Sequence, residues 1–166
     1  MPAVLLSLLF NALWFLSVAG GNAGALLCLP LVIYLLCLYP HSLRIFMLFF
    51  AGIGLSFDGL LFLSGQMHST DFPLWLGVLW LIFVSLMPAC LQPLKMPSFV
   101  LAVIGAVNGP VAYYAGSQLG DLQLHMPAYI ALSFFWAFFL PYSVERYEKL
   151  CMAVNCLPAQ PAPVRQ

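Results

Sequence analysis

The sequence predicts an all-α, polytopic membrane protein with six transmembrane helices and with its N-terminus and C-terminus in the cytoplasm. Three observations predict this class. Only 6% of the 166 residues are charged and 64% are hydrophobic, whereas a soluble globular domain carries about 25% charged residues. The apolar runs reach the roughly 20 residues that a spanning helix requires, and they lack the period-two alternation of membrane β-strands. A chain with so little polar surface is expected to face lipid.

Six apolar runs, bounded by polar, proline or glycine residues, define the helices in order. They cover about residues 2–20, 23–40, 43–64, 72–91, 98–118 and 127–144. The breaks before the second and third runs are very short, so we expect tight antiparallel hairpins there. Residues 1–146 are therefore expected to form one six-helix transmembrane domain. The proline-rich residues 147–166 are expected to form a disordered cytoplasmic tail.

The charged residues select one orientation of these helices. Six spans place the two termini and the second and fourth loops on the same side of the membrane. All five basic residues fall on that side: Arg44, Lys95, Arg146, Lys149 and Arg165. The opposite side receives these acidic and histidine residues: His68, Asp71, Asp121 and His125. Because cytoplasmic loops are enriched in Lys and Arg, the basic side is expected to be cytoplasmic.

Asp58 is the exceptional residue of the third run, where it interrupts the apolar stretch "AGIGLSFDGLLFLSG". A charge in the bilayer costs about 2–3 kcal/mol or more, so this carboxylate is expected to face the bundle or a wet cavity. Polar or hydrogen-bonding side chains of the other runs complete a predicted intramembrane site: Asn11, Trp14, Trp80, Asn108 and Tyr113. Such a site either binds a proton, a cation or a small molecule, or locks the helices together. The sequence leaves both interpretations open.

Small residues predict where helices approach one another closely. In the fifth run, Gly105 and Gly109 form a GxxxG pair, which Ala112 and Gly116 continue along the same face. Pro110 removes one backbone N–H donor and can bend that helix. In the third run, Gly54 lies on the same helix face as Asp58.

Several function classes lack support. We find no HExxH, GxSxG, P-loop or GxGxxG motif, and therefore predict no catalytic residue and no cofactor. The three histidines form no i, i+4 pair, and the five cysteines lack CxxC spacing and are expected to remain thiols, so no metal site is predicted. The net charge of zero gives no indication of nucleic acid as a partner.

Four stretches of the chain resemble a known family: "NALWFLSVAG", "GLSFDGLLFLSG", "PLWLGVLWLIFVSLMPACL" and "GAVNGPVAYYAGSQLG". Over about residues 5–145 the chain resembles the domain of unknown function 2878 family. The resemblance implies a multi-pass protein of the bacterial inner membrane, associated with lipid-modifying and oxidative-stress enzymes. By this resemblance, the positions of the chain that match the pattern of the family are Asn11, Trp14, Asp58, Gly59, Trp75, Trp80, Gly105, Gly109, Pro110, Tyr113 and Gly116.

Three functions remain as hypotheses. The first is an accessory protein that contacts the lipid bilayer and a membrane or cytosolic partner, such as a lipid-modifying or stress-response enzyme. The second is a carrier or binding subunit for a small molecule or lipid, with its polar site around Asp58. An intramembrane enzyme is disfavoured, because one carboxylate without a nucleophile, a metal set or a second base is a poor catalyst.

Overall fold

The computed structural model describes residues 3–70, 73–91 and 94–154. It confirms the predicted all-helical fold with six helices. Their bounds are α1 Ala3–Ala19, α2 Gly21–Leu38, α3 His41–Leu63, α4 Leu74–Leu91, α5 Ser98–Leu119 and α6 Met126–Ala153. By length and composition α2 to α6 can each cross a membrane, while the apolar helix α1 is shorter. Three residues used in the sequence analysis lie outside the described ranges: Asp71, Cys156 and Arg165.

The connection between α1 and α2 is a tight turn that requires glycine. Gly21 has a φ of +56°, which is a left-handed conformation that side chains other than glycine seldom adopt. A Cβ on Gly24 would run into the backbone carbonyl of Leu16. The two helices therefore pack backbone to backbone just after the chain reverses, as expected for the predicted hairpin.

Helix α4 is the centre of the bundle. It packs against α1, α2, α3 and α6, and it is the most buried of the five helices that can span a membrane. Helix α5, in contrast, makes its extensive contact with α6 and touches α1 only lightly. Among the described residues, α5 is thus held away from α4, and this separation produces the cavity described below.

Two short strands, β1 Met67–Ser69 and β2 Leu122–Leu124, were not predicted. They pair antiparallel, with Met67 opposite Leu124. The Asp121 carboxylate accepts hydrogen bonds from the backbone N–H (2.7 Å) and the hydroxyl (3.0 Å) of Thr70. Three-residue strands leave too weak a sequence pattern to be recognised, and their pairing depends on two loops that are distant in sequence. The pairing joins the α3–α4 and α5–α6 loops at one end of the bundle.

Helix α6 continues beyond the predicted end of the transmembrane domain at residue 146. Val144, Tyr147 and Cys151 are buried at helical spacing, so this stretch has an apolar face that packs on the bundle. The first residues of the predicted tail are therefore helical, while residues 155–166 lie outside the described ranges. Cys151 is disulfide-bonded, although a thiol was expected there.

Candidate functional site

Asp58 lies inside the bundle and joins three helices. Its side chain on α3 is 2% exposed. One carboxylate oxygen accepts a hydrogen bond from Trp80 Nε1 on α4 at 2.5 Å, and the other accepts one from the Tyr113 hydroxyl on α5 at 2.7 Å. Gly54, one helical turn away, makes this arrangement possible, because a Cβ at that position would collide with the Trp80 ring. We call these three residues the Asp58 tie.

The tie satisfies groups that would be costly to bury alone. A buried donor without an acceptor costs about 1–3 kcal/mol, and the carboxylate satisfies two such donors at once. Both of its oxygens are engaged. This geometry favours the interpretation that Asp58 locks the helices together over the interpretation that it serves as a proton or cation site.

Trp80 connects the tie to an aromatic cluster. Its indole stacks on that of Trp136 from α6, with ring centroids 5.2 Å apart and an angle of 5° between the planes. Phe83 and Phe139 contact both indoles edge-on. Offset and edge-to-face aromatic pairs add to the stability gained from burial. Asp58 therefore fixes Trp80, and Trp80 in turn supports Trp136.

The glycines of α5 make room for Trp136. A Cβ on Gly109 would lie against Cγ and Cδ1 of that indole, and a Cβ on Gly105 would meet the Trp136 backbone carbonyl. The predicted GxxxG face thus packs directly on α6, and it allows a tryptophan to lie between the two helices. Near the C-terminal end of α5, a Cβ on Gly116 would be in ordinary van der Waals contact with the Trp75 ring.

A cavity of about 480 Å³ lies between α1, α4, α5 and α6. Its size falls within the range of roughly 300–1,000 Å³ that is typical of small-molecule sites. All four tryptophans of the chain line it: Trp14, Trp75, Trp80 and Trp136. Most other lining residues are aliphatic or aromatic, and the polar ones include Ser7, Asn11 and Asn108. Mostly apolar walls with a few polar groups are characteristic of a ligand-binding cavity.

The structure separates the predicted intramembrane site into two neighbouring parts. Asp58 joins Trp80 and Tyr113 in the tie, whereas Asn11, Trp14 and Asn108 line the cavity. Trp80 and Tyr113 belong to both parts, since their rings also line the cavity. Asn11 donates to the Ser7 carbonyl within α1 at 2.8 Å, and both Asn11 and Asn108 are exposed. The predicted packing residue Ala112 lines the cavity as well, and Pro110 lies within the continuous helix α5.

Trp136 is the residue that sequence reasoning missed. Its side chain is 8% exposed, and it both lines the cavity and has a buried Nε1 without a hydrogen-bond partner in the described part of the chain. The signal was available, because an indole N–H in the middle of an apolar run is a polar donor at bilayer depth. In the aromatic stretch "FFWAFF" this donor is hidden among hydrophobic neighbours.

The two loops that contain β1 and β2, at one end of the bundle, hold further polar residues. The His68 and His125 rings lie 5.6 Å apart, edge to face, and the Asp121 carboxylate is bound by Thr70. Across the described ranges, no group of three or more His, Cys, Asp or Glu residues could hold a metal ion. The cavity is therefore the best candidate for a functional site.

The comparison with protein families agrees with this architecture. The family model described as "Protein of unknown function (DUF2878)" matches residues 3–142. The chain belongs to this family. The resemblance stated from the sequence is thereby confirmed, and the DUF2878 match covers every residue of the Asp58 tie and of the cavity lining. No curated protein and no solved structure matches the chain.

Proposed function

We propose that this DUF2878 protein binds a small lipid-like molecule inside the membrane, in the cavity between α1, α4, α5 and α6. The observation that carries the proposal is the cavity itself, which is about 480 Å³ in volume and lined by all four tryptophans. Rigid aromatic walls are well suited to holding an apolar ligand. Binding or carriage, which the sequence analysis ranked behind an accessory role, is thus the function that the geometry supports best.

The chemistry of the lining supports binding over catalysis. Asp58 is not among the residues that line the cavity, and its oxygens are engaged by Trp80 and Tyr113. Within the described ranges, the lining contains no cysteine, histidine or charged residue. General acid–base or nucleophilic chemistry requires such groups within hydrogen-bond reach of a substrate.

The proposal includes the predicted topology, with six spans and with both termini in the cytoplasm of a bacterium whose inner membrane holds the protein. Arg44 and Lys95 lie at one end of the bundle, and the paired strands with Asp121 lie at the other. Helix α1 has 17 residues, which is at the lower limit of about 17–25 for a span. The disulfide of Cys151 is evidence against this orientation, because disulfides are rare in the cytosol.

The accessory role remains a prediction. A protein that holds a lipid-like molecule could present it to a lipid-modifying enzyme, so the two roles are compatible. Affinity purification from native membranes under mild detergent tests this role. Stoichiometric co-purification of one such enzyme would support it, and recovery of the chain alone would contradict it.

Native mass spectrometry of the protein released from lipid nanodiscs tests the binding proposal. The wild type is expected to retain a bound mass under activation that removes surface lipids. Ala112→Phe should lose that mass, because the added ring fills the cavity that Ala112 lines. Val107→Phe is the matched control, since Val107 lies on the same helix and is 57% exposed to the outside. Absence of a bound mass in the wild type, or equal retention by Ala112→Phe, would contradict the proposal.

A further inference from the structure

The wall of the cavity is buried on one side and exposed on the other. On α4 and α6, residues such as Trp80 and Leu140 line the cavity and are buried. Three of the described lining residues are exposed, and all three lie on the other pair of helices: Asn11 on α1, and Asn108 and Val111 on α5. A residue that lines a cavity and is also exposed lies at its opening. The cavity therefore opens between α1 and α5, and we call this opening the α1–α5 gap.

Helices α1 and α5 meet near their C-terminal ends and close the cavity there. A Cβ on Gly116 would lie 4.0 Å from Cγ1 of Val18, and a Cβ on Gly120 would lie 3.4 Å from the Val18 carbonyl oxygen. The Trp75 ring lies beside both glycines, and Val18 is 1% exposed. The exposed lining residues all lie on the N-terminal side of this contact, so the α1–α5 gap is a lateral opening.

The α1–α5 gap lies at the depth of the membrane interior. Asn11 precedes Val18 by seven residues and Asn108 precedes Gly116 by eight, which corresponds to about 11 and 12 Å of helix. Since Val18 and Gly116 are neighbours, the two amides lie at about the same level. Asn108 is also near the middle of α5, which is long and apolar enough to cross a membrane. In the proposed topology the gap therefore opens to the hydrocarbon core of the bilayer.

Both amides have hydrogen-bonding groups available to a ligand. An asparagine side chain offers two N–H donors and one carbonyl oxygen. Asn11 uses one donor on the Ser7 carbonyl at 2.8 Å, and the Asn108 side chain has no hydrogen-bond partner in the described part of the chain. Hydrocarbon provides no partner for such groups, and polar residues of spanning helices normally face the protein interior or a cavity. The α1–α5 gap therefore requires a polar partner that the described chain does not supply.

The lining of the cavity limits this partner to an uncharged group on a hydrocarbon chain. Among the described lining residues there is no Lys, Arg or His to balance an anion, and no Asp or Glu to balance a cation. An amide both donates and accepts hydrogen bonds, as does a hydroxyl, so either group would pair with Asn11 and Asn108. Beyond the gap the lining is mostly aliphatic and aromatic, with residues such as Leu79 and Met87. The rest of the ligand is therefore apolar.

We propose that a ligand enters the cavity sideways from the bilayer through the α1–α5 gap, and that Asn11 and Asn108 bind an uncharged hydroxyl or amide group of this ligand. The ligand class is a neutral long-chain lipid that carries such a group. The inference rests on the proposed function, since it names the entrance and the ligand class for the same cavity. An uncharged lipid reaches this depth readily, whereas a charged headgroup would have to leave water.

Spin labels test the entrance. Single cysteines replace Asn11 or Asn108 in a cysteine-free variant, carry a nitroxide and are studied in nanodiscs. Val107→Cys is the control, because Val107 lies on α5, does not line the cavity and is 57% exposed. We expect both labels in the gap to collide with oxygen, which dissolves in hydrocarbon, about as often as the control label does, and to be shielded from a water-soluble nickel chelate.

The other accessibility patterns would contradict the entrance. Access of the nickel chelate to the labels would show that the α1–α5 gap is filled with water. Low access of both oxygen and the nickel chelate would show that a second copy of the chain or another protein covers the gap. Either result would overturn the proposed entry from the bilayer.

Matched brominated probes test the ligand chemistry, because bromine quenches tryptophan fluorescence at short range and all four tryptophans line the cavity. The probes are a long-chain alkane with a mid-chain hydroxyl and the same alkane without it, each brominated at one chain end. In wild-type protein in nanodiscs, the alcohol should reach half-maximal quenching at an about tenfold lower mole fraction than the alkane, as one net hydrogen bond provides. Equal quenching by both probes would overturn the role of the amides.

Variants assign this preference to the amides. The double variant Asn11→Leu, Asn108→Leu changes two exposed positions and should bind the alcohol and the alkane equally. Asn108→Gln retains an amide and should keep the preference. Val111→Leu is the matched control, because it alters the same gap without changing a hydrogen-bonding group, and it should also keep the preference. A preference that persists in the double variant would contradict binding by Asn11 and Asn108.

Failure of this inference is distinguishable from failure of the proposed function. Quenching by both probes that is lost in Ala112→Phe, but without preference for the alcohol, would leave the binding cavity intact and remove the role of the amides. If neither probe quenches the wild type more than Ala112→Phe, the proposed function itself fails.

Discussion

Asp58 acts as an acceptor for two donors that would otherwise be buried without partners. Its carboxylate receives the Trp80 indole and the Tyr113 hydroxyl, and therefore fixes one wall of the cavity without entering it. A polar residue in a transmembrane helix most often faces the protein interior. The partners of Asp58 inside the bundle are two neutral donors. Asp58 therefore positions Trp80 and Tyr113, whose rings form part of the cavity wall.

Substitution of Asp58 tests this assignment. Asp58→Asn should stay within about 1 kcal/mol of the wild-type stability, because its oxygen can accept from Trp80 and the Tyr113 hydroxyl can reverse to accept from the amide. Asp58→Leu should destabilise the fold by about 1–3 kcal/mol for each donor left unpaired. Unfolding in mixed detergent micelles, followed by tryptophan fluorescence, measures both variants. An equal loss of stability in Asp58→Asn and Asp58→Leu would show that the negative charge, rather than the acceptor geometry, is required.

Helix α5 depends on its glycines for contact with α6. Gly105 lies against the Trp136 carbonyl and against Leu140 Cβ, and Gly109 lies against the Trp136 indole. Because association of helices in lipid relies on close packing rather than on the hydrophobic effect, these two positions determine where α5 lies. Helix α5 therefore packs on α6, and the space between α5 and α4 remains open as the cavity.

A pair of glycine substitutions tests the role of this contact. Gly105→Ala should lower stability by about 1–3 kcal/mol through overpacking at the α5–α6 contact, despite the higher helix propensity of alanine. Gly52→Ala on α3 is the control, because a Cβ there meets nothing within 4 Å. The control should be neutral or stabilising by up to about 1 kcal/mol. Thermal unfolding in detergent compares the two, and a Gly105→Ala variant as stable as Gly52→Ala would refute the close packing.

At the scale of the whole molecule, the paired strands link two loops that are far apart in sequence. Met67 pairs with Leu124, and the backbone N–H of His125 donates to the Gln66 carbonyl at 3.0 Å. The α3–α4 and α5–α6 loops are therefore on the same side of the bundle. This arrangement agrees with the alternation of basic and acidic loops on which the predicted orientation rests.

Single cysteines in a cysteine-free variant test the orientation in intact bacterial spheroplasts. Gln123→Cys should react with a membrane-impermeant maleimide from outside, since Gln123 is an exposed residue of β2. Lys95→Cys should react only after permeabilisation, because the basic loop between α4 and α5 is proposed to be cytoplasmic. The reverse labelling pattern would show that the topology is the opposite of the proposed one. In the natural protein, Cys151 and its disulfide would then lie on the oxidising side of the membrane.

The sequence by itself determined the number of helices, their approximate limits and the family. Whether a run of residues crosses a bilayer depends on its own length and hydrophobicity, so runs such as 98–118 were found nearly as they occur in α5, Ser98–Leu119. The exception was the end of α6, where a buried face formed by Val144, Tyr147 and Cys151 extends the helix beyond its most apolar part.

Only the tertiary structure decided which of these residues meet. Asp58, Trp80 and Tyr113 were all recognised as candidates, but their hydrogen bonds depend on the rotation of three helices about their axes, which no local pattern specifies. The cavity arises because α5 packs on α6 rather than on α4. The packing of α5 on α6 is determined by shape complementarity between glycines of one helix and an indole of the other. This complementarity involves separate helices, so it arises only when they are packed together.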